Sequence, residues 1–193
     1  LVGSEMCIRD SVSQSHLSPS LSPLSDFPPH SCSSWFPVFS PEQISPSVSH
    51  LSDAGFDDVW ECTKKPFVAS HSNARAVCPS LRNLTDDRVR RLAERGGCMG
   101  LNYYDKFLVD GGSKDPEVLW EALIRQARHI TDVGGMEILG LGSDFDGIPT
   151  NPALPGAEAM PVLWDRLKTA GFTENQLDGI FWGNVMRVYR DAL

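Results

Sequence analysis

The chain changes in character near residue 47, and this change limits what can fold. Residues 1–47 hold 14 serines and 7 of the 14 prolines, whereas residues 48–193 alternate short apolar runs with amphipathic segments. Proline disrupts helix interiors and central strands because it lacks a backbone N–H donor. We therefore predict an irregular or disordered tail over residues 1–47 and a folded domain over residues 48–193.

The folded part contains four short apolar runs that end in polar residues, as buried parallel strands do. These runs cover residues 48–52, 67–71, 98–103 and 138–144. Helices are predicted over about 52–63, 88–95 after a Thr85 cap, 115–130, 160–170, and from a capping-box threonine at 173 to the end. Strands that alternate with helices predict a parallel α/β sheet.

Charge and cysteine content exclude several classes of protein. The formal net charge is −8, which argues against nucleic-acid and membrane-surface partners because both bind basic patches. The five cysteines are an odd number with no C-x-x-C pair, so neither a disulfide framework nor a zinc knuckle is expected. No transmembrane segment or secretory signal is visible, and we expect a reduced, cytoplasmic protein.

Three of the predicted strands end in residues that can bind metal, namely His50, His71 and Asp144. The carboxyl ends of parallel strands meet on one side of a sheet, so these side chains are expected to converge. Two neutral imidazoles and a carboxylate are a suitable ligand set for zinc, which lowers the pKa of a bound water towards about 7. A single histidine at a strand end is more often structural, but the combination favours a metal site.

Five sequence blocks extend this pattern into a resemblance to a known family. They are V-S-H-L-S at 48–52, A-S-H-S-N-A-R at 69–75, L-R-N-L-T-D at 81–86, G-S-D-F-D-G at 142–147 and G-N-V-M-R-V at 183–188. Their order and spacing resemble the membrane dipeptidase (renal dipeptidase) family of zinc metallodipeptidases from about residue 48 to 193.

The resemblance implies a TIM-type (β/α)8 barrel whose two zinc ions hydrolyse dipeptides. By position, His50 and His71 correspond to ligands of the second zinc. Asp144 corresponds to a ligand of the first zinc that also helps to move a proton. Arg82 corresponds to the residue that holds the free carboxylate of the substrate, a task suited to a bidentate guanidinium. Without its surrounding motif, Arg82 would be interpreted as a solvated loop arginine.

The chain departs from the family in its first part. The family also needs an H-x-D pair, a bridging glutamate and a further histidine, and this chain contains no H-x-D. A TIM barrel takes about 250 residues, so the 146 residues of 48–193 predict only its C-terminal half. We therefore expect the C-terminal part of a truncated or wrongly joined dipeptidase, with doubtful zinc occupancy and impaired activity. Its exposed sheet edges are expected to pair with another chain or a second copy.

Two alternatives remain open. Another metal-dependent hydrolase with the same barrel, acting on cyclic amides, phosphoesters or amino-purines, would place similar ligands on its strands. A non-catalytic scaffold or half-barrel binding module would keep the fold without the chemistry. The Arg82-Asn83 element favours a dipeptide over the other hydrolase substrates.

Overall fold

The computed structural model describes residues 47–192, so the predicted tail lies outside it except for Ser47. The division of the chain at residue 47 therefore stays a prediction. The elements, in chain order, are α1 (Asp53–Cys62), β1 (Val68–Ala69), α2 (Asp86–Glu94), β2 (Cys98–Leu101), α3 (Asp105–Leu108), α4 (Pro116–Gly134), β3 (Leu139–Leu141), α5 (Met160–Thr169), α6 (Glu174–Asp178) and α7 (Asn184–Ala192). Short 3-10 turns precede β3 and α5, and a π-helical turn, Gly179–Gly183, joins α6 to α7.

The strands form a parallel sheet in the order β1-β2-β3, which confirms the predicted α/β class. A further parallel bridge joins Ser47 to Val68, where the Val48 N–H donates to the Val68 carbonyl at 2.9 Å. Three of the four predicted strands are therefore found, although they are shorter than their apolar runs, and the predicted strand over 48–52 is wrong, since only the single bridge at Ser47 is formed there. Within residues 47–192 the sheet does not close into a barrel, and β3 pairs on one side only.

The helices begin where the capping residues predict. The side chains of Ser52, Thr85 and Asp115 accept from backbone N–H groups in the first turns of α1, α2 and α4. Thr173 and Gln176 form the expected capping box. These caps satisfy N–H groups that have no partner within the helix, and each contributes about 1 kcal/mol.

Two glycines allow strand ends of the sheet to approach one another closely. Gly100 lies on β2 and Gly142 directly follows β3, and a Cβ atom at either position would overlap the carbonyl group of Ser70. Ser70 follows β1, which is not adjacent to β3 in the sheet. Only glycine leaves room for this contact, which draws the ends of the two outer strands together.

The opposite end of the sheet is held by the last helix. Asn184 Nδ2 donates to the carbonyls of Met136 and Leu139 at 3.0 and 2.7 Å. The Arg187 guanidinium donates to the carbonyls of Gly96, Gly97 and Glu137 at 2.6, 3.4 and 3.0 Å. These contacts give the G-N-V-M-R-V block a structural role.

Two further sequence predictions can be compared with the described residues. Cys78 and Cys98 are buried free thiols, but Cys62 is disulfide-bonded, so the expectation of reduced cysteines is wrong at that position. None of the helices within residues 47–192 is both long enough and apolar enough to cross a bilayer.

Candidate active site

Two histidines face each other at the carboxyl end of the sheet. The Nε2 atoms of His50 and His71 lie 2.8 Å apart, and the ring centroids are separated by 4.8 Å. His50 follows the segment that bridges to β1, and His71 follows β1 itself. The predicted convergence of these two residues is therefore found, with the usual metal-binding nitrogens directed at each other.

Serine hydroxyls fasten the two histidine-bearing segments together. The buried Ser49 hydroxyl accepts from the His71 N–H at 2.9 Å and from the Ser72 hydroxyl at 3.0 Å. The hydroxyls of Ser47 and Ser70 form a second link at 2.8 Å. The serines that flank each histidine thus fix the separation of the two rings, a role that the sequence pattern did not predict.

Both imidazoles favour the neutral form. Burial is the main cause that lowers the pKa of His50, and the nearby Arg82 and His71 lower it further, whereas Asp144 opposes the shift. Burial also lowers the pKa of His71, assisted by Arg82 and again opposed by Asp144. A neutral imidazole keeps a lone pair, so both rings are suited to bind a metal at neutral pH.

The positions of the ring protons follow from the hydrogen bonds. A guanidinium can only donate, and Arg82 Nη1 lies 3.4 Å from His50 Nδ1, which must therefore accept. His50 then carries its proton on Nε2 and donates to His71 Nε2. His71 donates from Nδ1 to the Ser70 hydroxyl at 2.8 Å. This assignment, made from the network, directs the Nε2 lone pair of His71 at the N–H of His50.

Asp144 lies beyond the end of β3 and carries an unusual backbone conformation. Its φ of 60° is the only positive value at a non-glycine position within residues 47–192. Strain of this kind costs about 1–3 kcal/mol and clusters at functional sites. Its carboxylate accepts a hydrogen bond from Asn102 Nδ2 at 3.2 Å.

The structure does not gather the predicted metal-binding residues into one cluster. Among the residues that the structure describes, no three His, Cys, Asp or Glu side chains lie close enough together to hold one ion. The single zinc site with His50, His71 and Asp144 as its ligands, expected from the residues alone, stays a prediction. The division of the three residues between two metals, implied by the resemblance, stays a prediction.

Arg82 lies beside the histidine pair, on a loop that is held in place by hydrogen bonds from Arg75. Its guanidinium packs 5.5 Å from the ring centre of Phe107 and contacts His50. The loop is held by Arg75, whose side chain forms a bidentate ion pair with Asp53, both bonds at 2.9 Å, and donates to the Asn83 and Leu81 carbonyls. Arg75 is thus a structural residue of the A-S-H-S-N-A-R block.

Comparison with known proteins supports the resemblance stated above. A sequence model of the membrane dipeptidase family, peptidase family M19, matches residues 46–193, which is more than half of the chain. The chain belongs to the membrane dipeptidase family. The match covers the three parallel strands, the histidine pair and Arg82.

Two individual relatives are similar to this chain over three quarters of its length. An uncharacterized protein from the pqqA 5′ region of Klebsiella pneumoniae is 35% identical over 145 residues, which are 75% of this chain and 54% of that protein. The dipeptidase aclJ of Aspergillus oryzae is 35% identical over 149 residues, 75% of this chain and 34% of that protein. The chain therefore spans about a third to a half of the length of these relatives.

A solved structure shows the same arrangement of elements. It is a metallo peptidase from Rhodobacter sphaeroides, liganded with a phosphinate mimic of the dipeptide L-Ala-D-Ala. It is 35% identical to this chain, with a TM-score of 0.72, and the match covers 76% of this chain and 42% of that one. This similarity supports the family's fold for the described region.

Proposed function

We propose that this chain carries part of the active site of a zinc-dependent dipeptidase and holds one zinc ion between His50 and His71. The observation that carries the proposal is the 2.8 Å approach of the two Nε2 atoms, with Arg82 beside them. The names of the relatives support peptide hydrolysis, and the phosphinate ligand of the Rhodobacter structure supports a dipeptide substrate.

The two imidazoles fit a zinc ion. Nitrogens that each lie about 2.0–2.1 Å from a tetrahedral zinc are about 3.3–3.4 Å apart, so the rings need to separate by about 0.5 Å. Both rings favour the neutral form, which binding requires. A bound zinc polarises a carbonyl and lowers the pKa of water towards about 7. A catalytic zinc uses about three protein ligands, so residues outside this pair have to complete the coordination.

Arg82 is proposed to bind the free carboxylate of the dipeptide. His50 can bind zinc through Nε2 only when its ring proton lies on Nδ1, and Arg82 cannot donate to a protonated nitrogen. The guanidinium therefore has to turn away from the ring when zinc binds. In its new position it can form the bidentate contact that suits a carboxylate.

Asp144 is proposed to bind a second metal ion and to take part in proton transfer during attack on the peptide carbonyl. Its carboxylate is close enough to both histidines to affect their pKa values. A carboxylate that receives a proton from the attacking water can pass it to the leaving amine. Its fixed position next to the histidine pair supports this role.

A second candidate is a half-barrel that acts by pairing with another chain. The open side of β3 supports it, since this edge presents unpaired backbone groups within the described residues. Pairing of this kind would supply missing strands and further ligands. We propose that the chain alone has little or no dipeptidase activity and that assembly with a complementary segment, or with a second copy, restores part of it.

Calorimetry on the full chain tests the zinc site. Zinc is titrated into the chelator-treated chain and into the variants His71→Ala and His129→Ala. The first variant should weaken binding more than about 100-fold, beyond the 10–100-fold effect of an outer partner. His129 bonds to Asp86 on the helical layer and serves as the control. Absence of zinc binding in the unaltered chain would overturn the proposed metal role.

A binding experiment separates the dipeptide role from the zinc role. The phosphinate mimic of L-Ala-D-Ala is titrated into the zinc-loaded chain. Arg82→Ala and Arg82→Lys should both weaken its binding, because an ammonium cannot form the bidentate contact. Equal binding by all three proteins would show that Arg82 does not hold the carboxylate. If the unaltered zinc-loaded chain does not bind the mimic, the dipeptide assignment is wrong.

A further inference from the structure

One buried amide joins the ends of all three strands. Asn102 directly follows β2, the middle strand, and is fully buried. None of the proposed metal ligands comes from β2. Asn102 nevertheless lies between the strand end that carries His71 and the strand end that carries Asp144, and its side chain contacts both.

The contacts of Asn102 leave one orientation for its side chain. Oδ1 accepts from the Tyr104 N–H at 2.7 Å, so Nδ2 faces the site. Nδ2 donates to Asp144 Oδ2 at 3.2 Å and to the His71 carbonyl at 3.4 Å. The backbone of Asn102 is held by Asn73, which accepts from its N–H and donates to its carbonyl, both at 3.0 Å.

We propose that Asn102 is a positioning residue, which sets the Asp144 carboxylate relative to the His71 segment through the two protons of a single amide. This inference rests on the proposed function, since it gives Asp144 and His71 their chemical roles. An amide suits the task because it orients a carboxylate without adding charge. A lysine or arginine in its place would neutralise the carboxylate that a metal needs. Ligating carboxylates are themselves commonly hydrogen-bonded in this way.

A nearby asparagine provides a matched control. Asn151 is also buried, and its Nδ2 donates to the carbonyl of Tyr103, the residue that follows Asn102, at 2.6 Å. Its Oδ1 accepts from the Ala153 N–H at 2.8 Å. These partners of the Asn151 amide are backbone groups. If Asn102 were only a structural residue, the two asparagines should respond alike to substitution.

The test compares Asn102→Ala with Asn151→Ala in the full chain. Cobalt is titrated and followed by its visible absorption, and urea unfolding is recorded in parallel. Asn102→Ala should weaken cobalt binding about 10–100-fold, the range for loss of an outer partner, whereas Asn151→Ala should bind like the unaltered chain. The two unfolding midpoints should fall to a similar extent. Equal cobalt affinity in both variants would overturn the proposal.

A metal-free measurement keeps this result separate from the proposed function. The side-chain amide signals of Asn102 are recorded by NMR in the unaltered chain and in Asp144→Gly, a change that suits a φ of 60°. Removing the carboxylate should shift these signals and speed their exchange with solvent, while those of Asn151 stay in place. Unchanged Asn102 signals would overturn the positioning role even in a chain that binds no metal, and the measurement also decides the case if Asn102→Ala does not fold.

Discussion

The two ends of the sheet use side chains in opposite ways. At the amino end, Asn184 and Arg187 donate to five backbone carbonyls. At the carboxyl end, His50, His71 and Arg82 contact one another through side chains. Backbone carbonyls stay where the fold puts them, whereas side-chain partners can be exchanged for a ligand. We therefore expect ligand exchange and chemistry at the carboxyl end of the sheet, as in barrel enzymes.

The largest expected effect comes from removing the hydrogen bonds of Arg187 at the amino end of the sheet. Arg187→Ala leaves three carbonyls without their charged donor, and hydrogen bonds to charged groups contribute about 1.5–3 kcal/mol each. Because the side chain is partly exposed, we expect a total loss of about 2–3 kcal/mol in the free energy of unfolding, measured in urea. Zinc affinity should not change.

The control for this experiment is Arg190→Ala, an exposed position on the same helix. Surface substitutions of this kind change the free energy of unfolding by no more than about 0.5 kcal/mol. Comparable losses in the two variants, or a large change in zinc affinity with Arg187→Ala, would contradict the division between the two ends.

A smaller effect is expected from Ser49→Ala, which sharpens the comparison because Ser49 is a structural residue at the chemical end. Its buried hydroxyl accepts from the His71 N–H and the Ser72 hydroxyl. Removal of the hydroxyl should lower the free energy of unfolding by about 1–2 kcal/mol. It should also weaken zinc binding. Thr150→Ala, which removes a hydroxyl at an exposed position, should change neither quantity. If the Ser49 variant binds zinc with unaltered affinity, the spacing of the His50 and His71 rings does not depend on the Ser49 hydroxyl.

The smallest effect concerns pH. The folded chain lowers the pKa of both His50 and His71 from 6.5, so the unfolded chain binds more protons as the pH falls below that value. Their neutral forms contribute stability that is present above about pH 6.5 and is lost as the pH falls through the folded-state pKa values. Urea midpoints in the presence of a chelator should therefore fall between pH 7.5 and 5.5.

The double variant His50→Gln, His71→Gln should flatten this pH dependence. Asp53, whose hydrogen bond with Arg75 lowers its carboxyl pKa from 3.8, acts only at lower pH and does not interfere in this window. If the urea midpoint of the double variant falls with pH as much as that of the unaltered chain, groups other than His50 and His71 cause the pH dependence.

Local features of the fold could be predicted from the sequence, and features that depend on distant contacts could not. Ser52, Thr85 and Thr173 marked helix starts because a cap acts on N–H groups within three residues. The four-residue helix α3 was missed because it is too short to show a period. It is held from outside, since the Phe107 carbonyl accepts from Asn73, Asn83 and Gln126.

The candidate site shows the same limit. His50 and His71 were predicted to converge because parallel strands end on one side of the sheet. Their fastening by Ser49 and the position of Asn102 depend on partners 22 and 42 residues away, which no local pattern reveals. The π-helical turn before α7 was also missed, because its residues continue the apolar spacing of a regular helix.

The close approach of strand ends at Gly100 and Gly142 restricts how the gene can change. Every missense mutation at codons 100 and 142 adds at least a Cβ atom, and at both positions that atom would overlap the Ser70 carbonyl. Neutral drift at these codons is therefore confined to silent changes, whatever the chemical character of the new side chain. In a saturation mutagenesis library, residues 100 and 142 should stand out as positions where alanine is tolerated no better than tryptophan.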